Sequence, residues 1–297
     1  MNRITPGQLC AMGLIGEIFA VFCTEGSISA ATAAGYAMSS GVLLLLAMPL
    51  ALHYRRGGRL CRGAALVLFV WLIFWGGRLF CMQQRTTEVI YIPFENSGGL
   101  AGKLLVTGLI GLVCLYISSS GVKALGRSAV IAAAAGTLGL TAVAFSAASS
   151  HEWGRLSLEW SDMGGELVRG LKAGGGIGAF AVMLGLQRES YIRSTAVYFS
   201  AKSAVSAAVL LTSVLVAGGI MQTAEFPVVT AAHLSQPFPS QRIDSLFLIL
   251  FTVYAVFAIA VQAAAASYLL RQMIPGFRRF GSLTVIVLML GTCLITM

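Results

Sequence analysis

Long apolar stretches alternate with short polar connections along the chain, and the apolar stretches are continuous. Residues 41–52 and 283–290 contain no charged position. An outer-membrane barrel strand would instead alternate apolar and polar residues over about ten positions. In lipid a helix satisfies every backbone group within its own segment. The pattern predicts about nine membrane-spanning helices, near 8–25, 31–52, 63–82, 102–118, 128–148, 173–186, 204–221, 243–270 and 281–297. The first is read as a retained span, because Glu17 sits mid-stretch and no small-residue cleavage pattern follows. Between spans five and six, residues 149–172 form a longer polar connection. There Trp160, Met163, Leu167 and Leu171 recur at helical spacing, with Asp162, Glu166 and Arg169 between them. This predicts an amphipathic helix lying on the outer surface. The expected organisation is a single transmembrane domain over 1–297, with a first repeat at about 1–148, the outer connection at about 149–172 and an incomplete second repeat at about 173–297.

Composition narrows the class. Apolar residues make up 57% of the chain and charged residues 10%, against about 25% charged in a soluble domain. Mean hydropathy is +0.85. A soluble enzyme and a disordered chain are both excluded, because this much apolar surface cannot be covered by so few polar groups. At about 20 residues per span, the loops are short and leave no room for a second globular domain. The fold class expected is an all-α polytopic membrane protein.

The net charge of +9 matters through its distribution. If the N-terminus is cytoplasmic, 13 of the 20 basic residues fall in inside segments, Arg55, Arg56, Arg59, Arg62, Lys123, Arg127 and Lys202 among them. The other seven fall outside, and Glu189 is the one acid in the inside segments. The positive-inside rule then places the N-terminus in the cytoplasm and the end of the ninth span outside. The partner implied is the lipid bilayer and not nucleic acid.

No catalytic motif is present. His151-Glu152 lacks the second histidine of a zinc-peptidase helix, and no enzymatic activity is expected. The six cysteines are scattered without a CxxC pair and read as small buried apolar residues. His53, His151 and His233 lie far apart, so no metal or other cofactor is expected. Arg78 reads as a side chain snorkelling to the interface, and Gln262 as an interhelical hydrogen-bonder.

Two features remain. Span one carries Gly13, Gly16 and Glu17. Span six opens with Gly174, Gly175 and Gly176, followed by Gly178. Each glycine costs a helix about 1 kcal/mol relative to alanine. If the chain contains two five-helix repeats, spans one and six correspond, and glycine-interrupted spans in corresponding positions point to a midplane solute site. A carboxylate in mid-span is functional by default. The expectation is a pocket between spans one, three, six and eight, floored by the Gly174–Gly178 backbone and faced by Glu17, with Gly175 leaving helical geometry. The competing readings are close helix packing through glycine, and a Glu17 that faces a wet cavity.

Four stretches carry a resemblance. Ile4-Thr5-Pro6-Gly7-Gln8-Leu9 looks like an opening I-[ST]-x-x-Q-L. The segment YISSSGVKALGR, with Tyr116, Gly121 and Arg127, is similar to Y-x-x-x-x-G-x-E-x-x-[AG]-R. Phe226-Pro227 through Leu234 resembles the tract after span seven. Gln241-Arg242-Ile243-Asp244-Ser245-Leu246-Phe247 looks like E-R-[IL]-D-x-L-F at the entry to span eight. Together they resemble the GerAB-type spore germination permeases, the B subunits of spore germinant receptors in the amino acid–polyamine–organocation (APC) superfamily. The chain departs from that pattern at Phe19-Ala20-Val21, where the family has Gly-x-Gly, and near Phe180-Ala181-Val182, where it has Gly-Phe-Glu. Lys123 stands in place of a glutamate, and the family usually has ten spans.

The resemblance implies a LeuT-like inverted-repeat bundle in the spore inner membrane. It implies A and C receptor subunits as partners and a small nutrient, often an amino acid, as ligand. Arg127, Arg242 and Asp244 would then serve structure or subunit interfaces. The functional classes in competition are a germinant-sensing subunit, an APC-type amino-acid transporter, and a membrane scaffold that only assembles partners. Transport would favour ionisable residues along a path through the membrane, and the sequence offers few beyond Glu17.

Overall fold

Thr5 accepts a hydrogen bond from the Gln8 amide, and the Gln8 side chain accepts one from the Thr5 amide. This capping box, with Pro6 in the first turn, starts helix α1, Pro6–Phe22. Ser29 and Thr32 make the same box at the start of α2, Ala30–Arg55. The computed structural model describes residues 4–58, 60–90, 99–147, 163–187, 190–218, 223–234, 244–278 and 280–296. The further helices are α3 (Arg62–Ile90), α4 (Gly99–Ser119), α5 (Val122–Ala147), α6 (Met163–Ala173), α7 (Ile177–Leu184), α8 (Tyr191–Ala217), α9 (Pro227–Leu234), α10 (Asp244–Met273) and α11 (Gly281–Thr296).

The chain is all-helical over these residues apart from a single isolated backbone bridge between Ile4 and Gln187. Among the described residues, six helices are long and apolar enough to cross a membrane: Ala30–Arg55, Arg62–Glu88, Val122–Thr141, Met163–Leu184, Tyr191–Val216 and Phe247–Met273. Pro6–Phe22, Leu104–Ser119 and Gly281–Thr296 are shorter apolar helices. Outward apolar side chains such as Leu45, Leu46, Val67, Leu112 and Ile131 are exposed, as expected of helices whose surroundings are hydrocarbon. These features make the chain a membrane-embedded protein.

Two packing groups meet at α1. In one, α2 runs along α8 and α6. In the other, α3 and α4 each pack on α10 and α11. Helix α1 touches α8 on one side and α10 and α5 on the other. Aromatic rings fill its seam with α10: Phe19 meets Phe251 at 5.4 Å between centroids, and Phe22 meets Phe247 at 5.1 Å. Some contacts between spans recur when each span number is advanced by five. The α2–α6 contact corresponds to α8–α1, α3–α11 to α10–α4, and α1–α10 to the contact of α7 with α3.

Three differences from the sequence expectation bear on the site. The amphipathic helix expected on the outer surface is present from Met163, but it runs straight on into span six and packs along α2; residues 149–162 lie outside the described residues. The crossing is tight: a Cβ on Gly35 would lie 2.7 Å from the Glu166 carbonyl carbon, and one on Gly170 would lie 2.6 Å from Ser39 Oγ. The second difference is span seven. It begins at Tyr191, not near Ala204, and carries Lys202 inside the helix. The third is the glycine run, which tightens into a 3₁₀ turn, Gly174–Gly176, and does not unwind. Its flanks stay helical, with Ala173 at φ −68°, ψ −27° and Ile177 at φ −55°, ψ −31°.

The cysteines divide: Cys23, Cys81, Cys114 and Cys293 are buried, Cys10 is half-buried and Cys61 is exposed.

Candidate functional site

Helix α1 brings Glu17 to the middle of the bundle, where it is buried. Helix α8 brings Tyr198 and Lys202 to the same point. They are one turn apart and share a helix face. Lys202 Nζ lies 2.9 Å from Glu17 Oε2, with side-chain exposures of 3% and 4%. Tyr198 donates its hydroxyl to Glu17 Oε1 at 3.1 Å. Both carboxylate oxygens therefore have a partner. The Lys202 ammonium has the charge contact but no aligned hydrogen bond, which leaves its donor capacity largely unused.

The glycines shape this pair from two sides. Gly13 lies one turn before Glu17, and a Cβ there would sit 2.5 Å from the Tyr198 ring; its absence lets the phenol reach Glu17. Phe180 of α7 stacks on the same ring at 4.3 Å and 14°. Across the pair stands the 3₁₀ turn. A Cβ on Gly174 would lie 3.1 Å from Lys202 Nζ. One on Gly176 would lie 3.1 Å from Glu17 Oε1 and 3.8 Å from Gln262 Nε2. Gly175 faces the other way, onto the Trp75 ring, and Gly178 onto Trp71. The Trp71 indole donates to the Gly175 carbonyl at 3.0 Å, occupying a backbone acceptor at the break. Arg78 stands 5.3 Å over the Trp75 ring, a cation–π contact.

A cavity adjoins the pair. It is lined by Met12, Gly13 and Gly16 of α1, Gly176 of the 3₁₀ turn, Phe180 of α7 and Gln262 of α10, among others, and measures about 10 Å³, room for about one water. Span three, expected to border it, instead sets Trp71 and Trp75 on the opposite side of the glycine turn. From Gly16 and Gly176 the lining runs to Leu9 and Met183, toward the end of the bundle where Ile4 meets Gln187. Gln262 is 2% exposed and its Oε1 has no hydrogen-bond partner. At the opposite end, Arg169 of α6 donates to the carbonyls of Glu25, Gly26 and Ser27. Arg85 of α3 pairs with Glu25 at 3.6 Å.

Of the sequence-predicted residues, Gly13, Gly16, Glu17, Gly174 and Gly176 converge on one locus, with Gly175 and Gly178 on its far side. Arg127 is exposed in the first turns of α5. Asp244 begins α10, and Arg242 lies outside the described residues.

Tyr198 and Lys202 were missed. The signal was their four-residue spacing, on a helix face that Thr195, Phe199 and Ser206 continue, all of them buried. Read as a connection, that stretch placed Lys202 among the cytoplasmic charges. With Lys202 removed, the inside count falls from 13 to 12 against seven outside.

Compared with known proteins, the chain matches no family model and no curated protein.

Proposed function

We propose that this protein is a permease-like membrane subunit that binds a small nutrient at the Glu17–Lys202 locus, in the manner of the GerAB-type germinant-receptor subunits its sequence resembles. The observation that carries the reading is the buried ion pair set against a glycine-tightened turn of span six, beside a small, mostly apolar cavity edged by Gln262. Charged side chains inside a membrane are costly and pair with one another where they serve substrate or ion pathways. The packing that maps onto itself when spans advance by five supports a LeuT-like inverted repeat, with spans one and six in corresponding positions. In this reading the protein lies in the spore inner membrane with its N-terminus in the cytoplasm, assembles with A and C subunits and catalyses no reaction.

Co-expression with candidate A and C subunits, followed by detergent extraction and affinity purification through one subunit, tests the assembly. Recovery of all three together is the expected result. Recovery of this chain alone would count against the receptor reading.

The transporter reading gains one observation. Lys202 is a second ionisable group inside a span, so a path through the membrane need not rest on Glu17 alone. Uptake of labelled amino acids into proteoliposomes distinguishes the two: a sensor binds without accumulating, and a transporter accumulates.

A further inference from the structure

We propose that Cys81 and Cys293 are a modification site: a peroxide joins them in an intramolecular disulfide that fastens α11 to α3. The site is separate from the Glu17–Lys202 locus and does not depend on the solute-binding reading.

The partners of the cysteines single out this pair. Cys10 donates to the Ser194 carbonyl at 3.7 Å and Cys114 to the Val256 carbonyl at 3.5 Å. Cys23 accepts the Thr86 hydroxyl and Cys61 the Ala64 amide, each at 3.5 Å. Cys293 instead has the Cys81 thiol as its hydrogen-bonding neighbour. Cys293 is 1% exposed and Cys81 7%.

The helix crossing brings the two sulfurs together. A Cβ on Gly76 would lie 2.5 Å from the Met289 side chain, and one on Gly77 would lie 2.9 Å from the Met289 carbonyl oxygen. Thr292 donates to the Ile73 carbonyl at 3.4 Å. Bare backbone of α3 therefore lies directly against α11, and glycine is what permits so close an approach. One turn further along each helix, Gly77 gives way to Cys81 and Met289 to Cys293. A disulfide spans Cα atoms about 4.4–6.8 Å apart, less than the usual ~8–10 Å between helix axes, so a glycine crossing is the place for one.

The chemistry balances with one peroxide. The Cys81 sulfur, the less enclosed of the two, attacks a peroxide oxygen; the O–O bond breaks, Cys81 becomes a sulfenic acid, and the thiol proton leaves in a water. The Cys293 sulfur then attacks the Cys81 sulfur; the S–S bond forms, the S–O bond breaks, and the hydroxyl leaves as water with the Cys293 proton. Two thiols are oxidised by two electrons in all, and one hydrogen peroxide is reduced to two waters. The neighbouring thiol intercepts the sulfenic acid before a second peroxide does. Arg85, one turn beyond Cys81, pairs with Glu25, so the site lies toward the end of the bundle that the proposed orientation puts outside the cytoplasm, where thiols are not held reduced.

The test uses the full wild-type chain in lipid nanodiscs, so its main readout needs no variant. The protein is reduced, desalted, incubated with hydrogen peroxide and denatured, and its free thiols are blocked with a maleimide. Mass spectrometry should find two fewer maleimides than the six cysteines and a linked pair of peptides carrying Cys81 and Cys293, both reversed by dithiothreitol. The oxidised protein should melt at least about 4 °C above the reduced one. C81S and C293S, which are close to wild type in volume, should form no linked peptide and show no such rise. Six maleimides after peroxide overturn the proposal. So does a disulfide that joins other cysteines or two chains, or a sulfinic acid at Cys81 or Cys293 without a linked peptide. A Cys81–Cys293 disulfide that leaves the melting temperature unchanged overturns the fastening of α11.

Discussion

Removing one partner of the Glu17–Lys202 pair should destabilise the protein far more than removing both. At 2.9 Å the gross attraction is about 6 kcal/mol at an effective dielectric of about 20, offset by the cost of burying two charges. What a single substitution exposes is that burial cost, because the remaining charge has no counter-ion. Truncating one member of a buried pair costs about 3–5 kcal/mol, whereas replacing both by neutral groups of similar volume is often close to neutral. Lys202→Met and Glu17→Gln should each cost about 3 kcal/mol. Glu17→Gln retains an acceptor for Tyr198 and should be the milder of the two. The double variant should lie within about 1 kcal/mol of wild type. The shortfall from additivity is then about 5 kcal/mol, within the ~1.5–7 kcal/mol measured for close charge pairs. The assay is the fraction of detergent-purified protein that stays monodisperse after heating. At about 2–4 °C per kcal/mol, each single variant should lose roughly 6–12 °C and the double no more than about 4 °C. Two single variants that melt with wild type, or a double variant that loses the sum of the singles, would refute the argument.

Gly35→Ala should destabilise by about 1–3 kcal/mol, because its Cβ meets the backbone of Glu166, which cannot rotate away; Gly41→Ala, on the same helix with nothing within 4 Å, should be near neutral in the same melt. Arg169→Ala should cost about 1.5–3 kcal/mol through its lost charge-assisted hydrogen bonds to the 25–27 carbonyls, with Arg169→Lys recovering only part, since an ammonium lacks the forked geometry; equal stability of all three proteins would show that this strap carries no load. A single cysteine at Gly57, on a cysteine-free background, should be labelled by an impermeant maleimide only after the membrane is opened. Labelling of intact cells would overturn the proposed orientation.

The all-helical membrane class was legible in the sequence because it depends on composition and run length alone. A continuous apolar stretch has one stable way to satisfy its backbone in lipid. Glu17 was legible for a related reason: a lone carboxylate in such a stretch must find a buried partner or water. The glycine run signalled a local change in span six but not its form. Whether it unwound or tightened depended on Trp71 taking the Gly175 carbonyl and on Trp75 packing over Gly175, contacts from a helix about 100 residues away. Lys202 was hidden because basic and small polar neighbours lower the local hydropathy of residues 193–206 to that of a connection. Only the packing of α8 against α1, α2 and the glycine turn makes that face an interior. Residues 163–172 were likewise read as amphipathic, and their polar face became structural once Arg169 found the 25–27 carbonyls and Gly170 met α2. A sequence fixes which residues must avoid water or lipid, since that is a property of each side chain. Which charge meets which is a property of the folded arrangement, and here the tertiary structure supplied Glu17 with its partner.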